Sequence, residues 1–206
     1  MTRRPFCAAS RIRPWRSRSS CSKPARATPL VSAGNTGALL TGATLYGGRI
    51  RGIRRAALAP VLPCEGGEVM LCDAGANTEC TAEMLLQFAF LASLYAEKNN
   101  GIAKPRVGLV NNGTEDDQRA IRSAGEAYAL LKAAGDAGRL NFVGNVEGSQ
   151  VPLGACDVAV CDGFMGNVLL KTVEGTAKFY GARDQEGVHR LGRHQDRLSA
   201  VQKGHG

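Results

Sequence analysis

Four short apolar runs alternate along the chain with longer stretches of helical period. EVMLC (68–72), RVGLV (106–110), NFVG (141–144) and DVAVC (157–161) read as strands. They run into turns rich in Gly, Asn and acid: DAGAN, NNGTE, GNVEG and DGFMGN. After DAGAN, Thr81 is placed to cap a helix in which Met84, Leu85, Phe88, Leu91 and Tyr95 recur three and four residues apart, closed by Gly101. A second helix follows NNGTEDD to about Lys132, and a third follows DGFMGN to about Tyr180. Upstream, SAGNTGALLTGATLYGGRI reads as a short approach, a Gly-Asn-Thr-Gly turn and a small-residue helix closed by Gly47 and Gly48. Strands alternating with helices predict βαβ units and an α/β fold with a parallel sheet. Right-handed crossovers would gather the turns, GNTG included, on the carboxyl edge, where open α/β sheets bind ligands.

Residues 1–28 break this pattern. They show no helical or strand period, are rich in Arg, Ser, Pro and Cys, and read as disordered, as an organelle transit peptide or as translation out of frame. The head also dominates the charge. The whole chain is +8, but residues 1–28 hold eight basic side chains and no acid. Residues 29–180 hold thirteen basic and fifteen acidic, and residues 181–206 five basic and three acidic. The presumed body is thus near neutral, which argues against a nucleic-acid surface spread over it. No apolar run approaches the roughly 18 residues of a membrane span, and the first residues lack the apolar core of a secretory signal.

The seven cysteines (Cys7, Cys21, Cys64, Cys72, Cys80, Cys156 and Cys161) form no C-x-x-C pair, so zinc is not indicated. Their odd number fits a reducing compartment, with Cys72 and Cys161 as small core residues. The histidines, His189, His194 and His205, all lie in the tail, so a histidine-based triad within 29–180 is excluded. What remains is the chemistry of the turns. Glycines expose backbone N–H groups, and a helix starting just beyond adds partial positive charge, which together suit a phosphate or another oxyanion. Asn and Thr add neutral donors, and Asp73, Glu115, Glu147 and Asp162 would orient them. Taken singly, each turn is also ordinary capping: Asp73 and Asp162 fit Asx caps, and Lys171 a solvated side chain. Five on one edge point to a polar, anion-binding cleft. No G-x-G-x-x-G or G-x-x-x-x-G-K-[ST] is present to indicate a dinucleotide or a P-loop.

VSAGNTGALL, GRIRGIRRAALAPVLP, LCDAGAN, LLQFAFLASLYAEK, PRVGLVNNGTE, LNFVGNVEG and CDGFMGNVLLKTVEGTAKF closely resemble, in order and over about residues 30–180, the PlsX family of bacterial phosphate acyltransferases. The resemblance implies a three-layer, Rossmann-like, mostly parallel sheet of the isopropylmalate dehydrogenase and phosphotransacetylase type, here incomplete at both ends. It implies a cytoplasmic homodimer of phospholipid and fatty acid metabolism, peripheral to the membrane, with a glycerol-3-phosphate acyltransferase as partner. The reaction implied joins inorganic phosphate to the acyl group of acyl-[acyl-carrier protein], with no cofactor and no metal. Phosphate is already an anionic nucleophile, so the missing histidine is no obstacle. Asn167 is then the expected catalytic donor, with Asp162, Gly163 and Gly166 beside it in phosphate binding. Asn35, Thr36 and Gly37 form a second anion cradle, Asn111, Asn112 and Thr114 a third group, and Asp73 orients the site. An inactive anion-binding remnant and a phosphotransacetylase-like or dehydrogenase-like enzyme are the alternatives.

The sequence also departs from the family pattern. A DAMGGD-type phosphate motif, expected well before SAGNTG, is absent, and the family continues past the DGFMGN helix. Gln118-Arg119-Ala120-Ile121-Arg122 stands where the family has Lys-Gly-Asn after GTE. Codons for Lys-Gly-Asn-Pro, such as AAG GGC AAT CCG, read one base later give AGG GCA ATC CG, which encodes Arg-Ala-Ile-Arg, the residues at 119–122. The head (1–28) and tail (181–206) are expected to be disordered or out of frame in the same way, leaving 29–180 as the core. Reading the locus in all three frames tests this: an intact gene encoding these same residues refutes it.

Overall fold

The computed structural model describes residues 35–112 and 122–181. The head, the GTE break at 113–121 with Thr114 and Glu115, and the tail from 182 lie outside the described residues. Five strands form one sheet: β1 (Val61–Cys64), β2 (Gly67–Cys72), β3 (Arg106–Val110), β4 (Asn141–Val146) and β5 (Val158–Val160), in the order β1-β2-β5-β3-β4. The pairs β2·β5, β5·β3 and β3·β4 are parallel, and β1·β2 is antiparallel. The helices are α1 (Thr36–Gly42), continued by a π-helical turn at Ala43–Gly47, then α2 (Ala82–Asn99), α3 (Arg122–Asp136) and α4 over 163–181. The chain is thus α/β with a mostly parallel sheet.

The alternation of side chains along a strand sorts the core into two layers. Met70, Cys72, Val107, Leu109, Val158 and Val160 face α2 and α3. Val69, Leu71, Val110, Ala159 and Cys161 face the other way, toward Val151, Cys156 and the inner residues Met165, Leu169 and Leu170 of α4. Gly108 is a point of closest approach: a methyl there would lie 2.4 Å from Val146 Cγ2.

Four elements differ from the sequence-based expectation. VLPC forms β1, which local pattern did not predict because Pro63 cannot donate to a ladder. It is tolerated because β1 is an edge strand, folded back on β2 through Glu65-Gly66, with Gly66 at φ +82°. In α2, Thr81 caps as expected, accepting from Met84 N–H at 3.4 Å. The buried stripe runs from Met84, Leu85 and Phe88 to Ala89, Ala92 and Ala96, whereas Leu91 is half-buried and Tyr95 is 53% exposed. Small alanines let the helix approach the sheet and α3 closely, so the bulky residues turn outward. α3 runs past Lys132 to Asp136, and β4 continues to Val146.

An ion pair closes the amino edge of the sheet. Arg106 Nη2 and Nε donate to Asp157 Oδ1 and Oδ2 at 2.9 and 3.2 Å, and Arg106 N–H donates to Oδ2 at 2.7 Å. Burial pushes the Asp157 carboxyl up, but the Arg106 side-chain and backbone hydrogen bonds outweigh it and hold the carboxyl below its ordinary range. A depressed carboxyl contributes stability above its unfolded value of about 4 and loses it as pH falls through the lower folded value. Asp157→Asn is therefore expected to flatten the acid limb of a stability–pH curve below about pH 4. Urea denaturation at pH 7 and pH 3 checks this, and an equal acid loss in both proteins contradicts it.

Candidate functional site

Because β2, β5, β3 and β4 are parallel, their exits share one edge, in that order along it. The β2 exit, Asp73–Asn77, and the β5 exit, Cys161–Gly163, are neighbours despite their separation in sequence. Asp73 N–H donates to Cys161 O at 3.0 Å, and Cys161 N–H to Cys72 O at 2.8 Å.

Asp73 organises this junction. It is fully buried, and a buried carboxylate must be supplied with donors. Oδ1 accepts from Leu58 N–H at 2.9 Å and Ala76 N–H at 3.0 Å. Oδ2 accepts from Asn77 N–H at 2.7 Å and Asn77 Nδ2 at 2.8 Å. Asn77 extends the network. Its Nδ2 also donates to Ala56 O at 2.9 Å, and its carbonyl accepts from Gly163 N–H, the first residue of α4, at 2.7 Å. Asp162 caps α4, its Oδ1 accepting from Met165 N–H at 2.8 Å.

Two glycines of DGFMGN allow this contact. A methyl on Gly163 would lie 2.5 Å from Asn77 O, and one on Gly166 would lie 1.9 Å from Asp73 O. One helical position beyond, Asn167 is exposed, and its side chain lies 3.5–3.6 Å from the place a Cβ on Gly75 would occupy. Gly75 has φ +125°, a conformation that L side chains rarely adopt. Among the described residues, the Asn167 carboxamide makes no hydrogen bond and is open to solvent.

The structure therefore brings together Asp73, Asp162, Gly163, Gly166 and Asn167. Asn111 and Asn112 stand at the β3 exit on the far side of β5, where Asn111 N–H donates to Val146 O at 3.0 Å and Asn111 Oδ1 accepts from Asn112 N–H at 2.8 Å. Asn35, Thr36 and Gly37 stand apart: Asn35 Oδ1 caps α1, accepting from Gly37 N–H at 2.9 Å and Ala38 N–H at 3.2 Å. Among the described residues, no hydrogen bond links them to the strand exits. Thr114 lies outside the described residues. Lys171 is exposed and paired with Glu174 at 2.9 Å. Sequence reasoning passed over Asn77 and Gly75. Both sit within the DAGAN motif, and an Asn four residues after an Asp leaving a strand was the available signal.

A cavity of about 380 Å³ opens between α3 and the edge strand β4, beside Lys132, Asp136 and Phe142. It shares no residue with the exits of β2 and β5.

The thiols around the junction are held neutral. Burial, helped by the Asp73 and Cys80 charges, pushes Cys72 up to about 12. Burial carries Cys80 to about 11, a hydrogen bond with the Gly163 backbone offsetting part of the rise and Asp73 and Asp162 adding to it. Cys161 is raised well above the ordinary thiol value by burial and Asp162. A thiolate nucleophile is therefore not what this edge supplies. At pH 8, iodoacetamide is expected to label Cys80 about 100-fold more slowly in the native than in the unfolded chain. Peptide mapping reads this directly, and comparable rates would show an ionised thiol.

The fold defines a class, an α/β protein with a mostly parallel sheet and a polar carboxyl edge, and comparison with known proteins narrows it. Residues 17–188 match the family described as fatty acid synthesis protein, and the chain belongs to that family. The phosphate acyltransferase of Caldanaerobacter subterraneus subsp. tengcongensis is 52% identical over 147 residues, covering 71% of this chain and 43% of the relative. That of Clostridium acetobutylicum is 48% identical over 155 residues, covering 75% and 45%. The chain thus spans less than half the length of these curated relatives. Among solved structures, the EutD phosphotransacetylase from Staphylococcus aureus aligns with a TM-score of 0.48 and 15% identity, over 69% of this chain and 47% of that one. Among the described residues, no helix is long and apolar enough to cross a membrane.

Proposed function

We propose that the chain carries the phosphate side of an acyl-transfer site. The reaction converts acyl-[acyl-carrier protein] and inorganic phosphate into acyl phosphate and free carrier protein. The observation that carries the reading is the junction itself: Asn77 O on Gly163 N–H at 2.7 Å, and Gly166 against Asp73 O, seat the open Asn167 carboxamide over Gly75. A phosphate oxygen attacks the thioester carbonyl, a C–O bond forms, the C–S bond breaks, and the thiolate leaves to take a proton from solvent. Phosphate needs no strong base at neutral pH, so the site has to hold it beside the carbonyl and stabilise the oxyanion.

Asn167 is the donor to phosphate or oxyanion. Gly163 N–H is taken by Asn77 O and Met165 N–H by Asp162 Oδ1, so Asp162, Gly163 and Gly166 serve by fixing the start of α4, and with it Asn167, beside the β2 exit. Asp73 orients the loop and does not act as a base: four donors occupy its oxygens. Asn111 and Asn112 contribute from the β3 side, whereas the Asn35, Thr36 and Gly37 turn spends its N–H groups on capping α1 and stands apart from this site. The reading extends to a cytoplasmic homodimer peripheral to the membrane, working with a glycerol-3-phosphate acyltransferase in phospholipid synthesis; the support for this is the family resemblance.

Trapping acyl phosphate as its hydroxamate, with acyl-carrier protein and phosphate as substrates, tests the function. Phosphate-dependent hydroxamate formation supports it. No turnover by a folded chain supports the noncatalytic anion-binding remnant, and NAD-dependent turnover supports the dehydrogenase-like alternative.

A further inference from the structure

The body is near neutral, yet Arg49, Arg51, Arg54 and Arg55 fall within seven residues, and all four are exposed. The segment is held against α2. Arg54 N–H donates to Gln87 Oε1 at 3.0 Å, Gln87 Nε2 donates to Gly52 O at 3.2 Å, and Ile53 N–H closes a turn on Ile50 O at 3.0 Å. Arg49 donates to Arg54 O, and Arg54 lies 3.7 Å from Glu83. Among the described residues, Arg51 and Arg55 make neither hydrogen bond nor ion pair. Two large apolar side chains accompany them, Leu45 at 62% and Ile50 at 68% exposure.

The position of this ridge matters more than its charge. One residue beyond Arg55, Ala56 O accepts from Asn77 Nδ2, and two residues further Leu58 N–H donates to Asp73. The arginines therefore flank the β2 exit, on backbone that is part of the site's own hydrogen-bond network. We infer that this ridge is the docking surface for an acidic protein that delivers the acyl thioester to the site, Arg51 and Arg55 meeting its carboxylates while Leu45 and Ile50 cover apolar surface between them. The inference rests on the acyl-transfer reading. Cations mixed with exposed aliphatic groups match a protein interface. A nucleic-acid backbone would use the arginines and leave Leu45 and Ile50 without a partner.

The test is binding of fluorescently labelled acyl-carrier protein to the full 206-residue chain, read by anisotropy. Arg51→Glu with Arg55→Glu is expected to weaken binding about 10-fold or more, because facing like charges are costly at an interface. Arg51→Lys with Arg55→Lys restores most of it, which separates charge from fold. Lys132→Glu, on α3, leaves it unchanged. Raising the salt from about 50 to 300 mM weakens the wild type, as screening shortens the reach of the ridge. No binding by the wild type, equal binding by the double Glu variant, equal loss in Lys132→Glu, or tighter binding of single-stranded RNA than of carrier would each overturn the inference. The hydroxamate assay separates its failure from that of the activity. Charge-dependent binding without turnover keeps the ridge and rejects the activity; turnover without charge-dependent binding does the reverse.

Discussion

Gly166→Ala is expected to cost about 3 kcal/mol or more, the upper end of overpacking penalties, and to detach α4 from the β2 exit. The added methyl would lie 1.9 Å from the Asp73 carbonyl oxygen, 2.9 Å from its carbon and 2.9 Å from Cys161 Sγ. Two of these three atoms are backbone, so no side-chain rotation relieves the clash. The only escape is movement of the helix away from the sheet, which would strip Gly163 N–H from Asn77 O and uncover the four-donor shell of Asp73. Alanine is a better helix former than glycine, so propensity alone would favour the change by about 1 kcal/mol. Gly175→Ala isolates that term: the position lies in the same helix with nothing within 4 Å of the new methyl. Urea denaturation should therefore show opposite signs for the two substitutions. A neutral Gly166→Ala would mean that α4 does not sit on Asp73.

Asn167→Ala is the complementary case, with a small effect on stability and a large one on chemistry. The side chain is exposed and makes no hydrogen bond among the described residues, so stability should change by no more than about 0.5 kcal/mol. Removing one donor from an oxyanion or phosphate site costs about 100- to 1000-fold in turnover. Acyl phosphate formation should fall by that factor while the melting curve stays in place. A parallel fall in both would make Asn167 structural, and unchanged turnover would move the donor elsewhere.

Much of this arrangement was legible in local pattern. The four parallel strands, the Thr81 cap and the gathering of strand exits on one edge follow from apolar runs ending in Gly, Asn and Asp. What escaped was non-local. β1 exists because an edge position tolerates Pro63, and edge positions are decided by the whole sheet. The buried stripe of α2 turns to its alanines because close packing against the sheet and α3 favours small residues over Leu91 and Tyr95. DAGAN and DGFMGN both looked like anion turns, but nothing local shows that Asn77 of the first receives the helix start of the second. The GNTG turn, of the same composition, caps a partly exposed helix: similar residues serve capping in one place and a shared junction in another.

The central claim is that the β2 and β5 exits form one anion-holding wall with Asn167 at its lip. A phosphate titration of the full chain, followed residue by residue by amide NMR, tests it without requiring turnover. The Gly75 amide and the Asn167 side-chain amide should move together on one saturable curve, and Asn167→Ala should weaken that curve. Shifts confined to Asn35–Gly37 or to the α3–β4 cavity, with Gly75 and Asn167 unmoved, would contradict it.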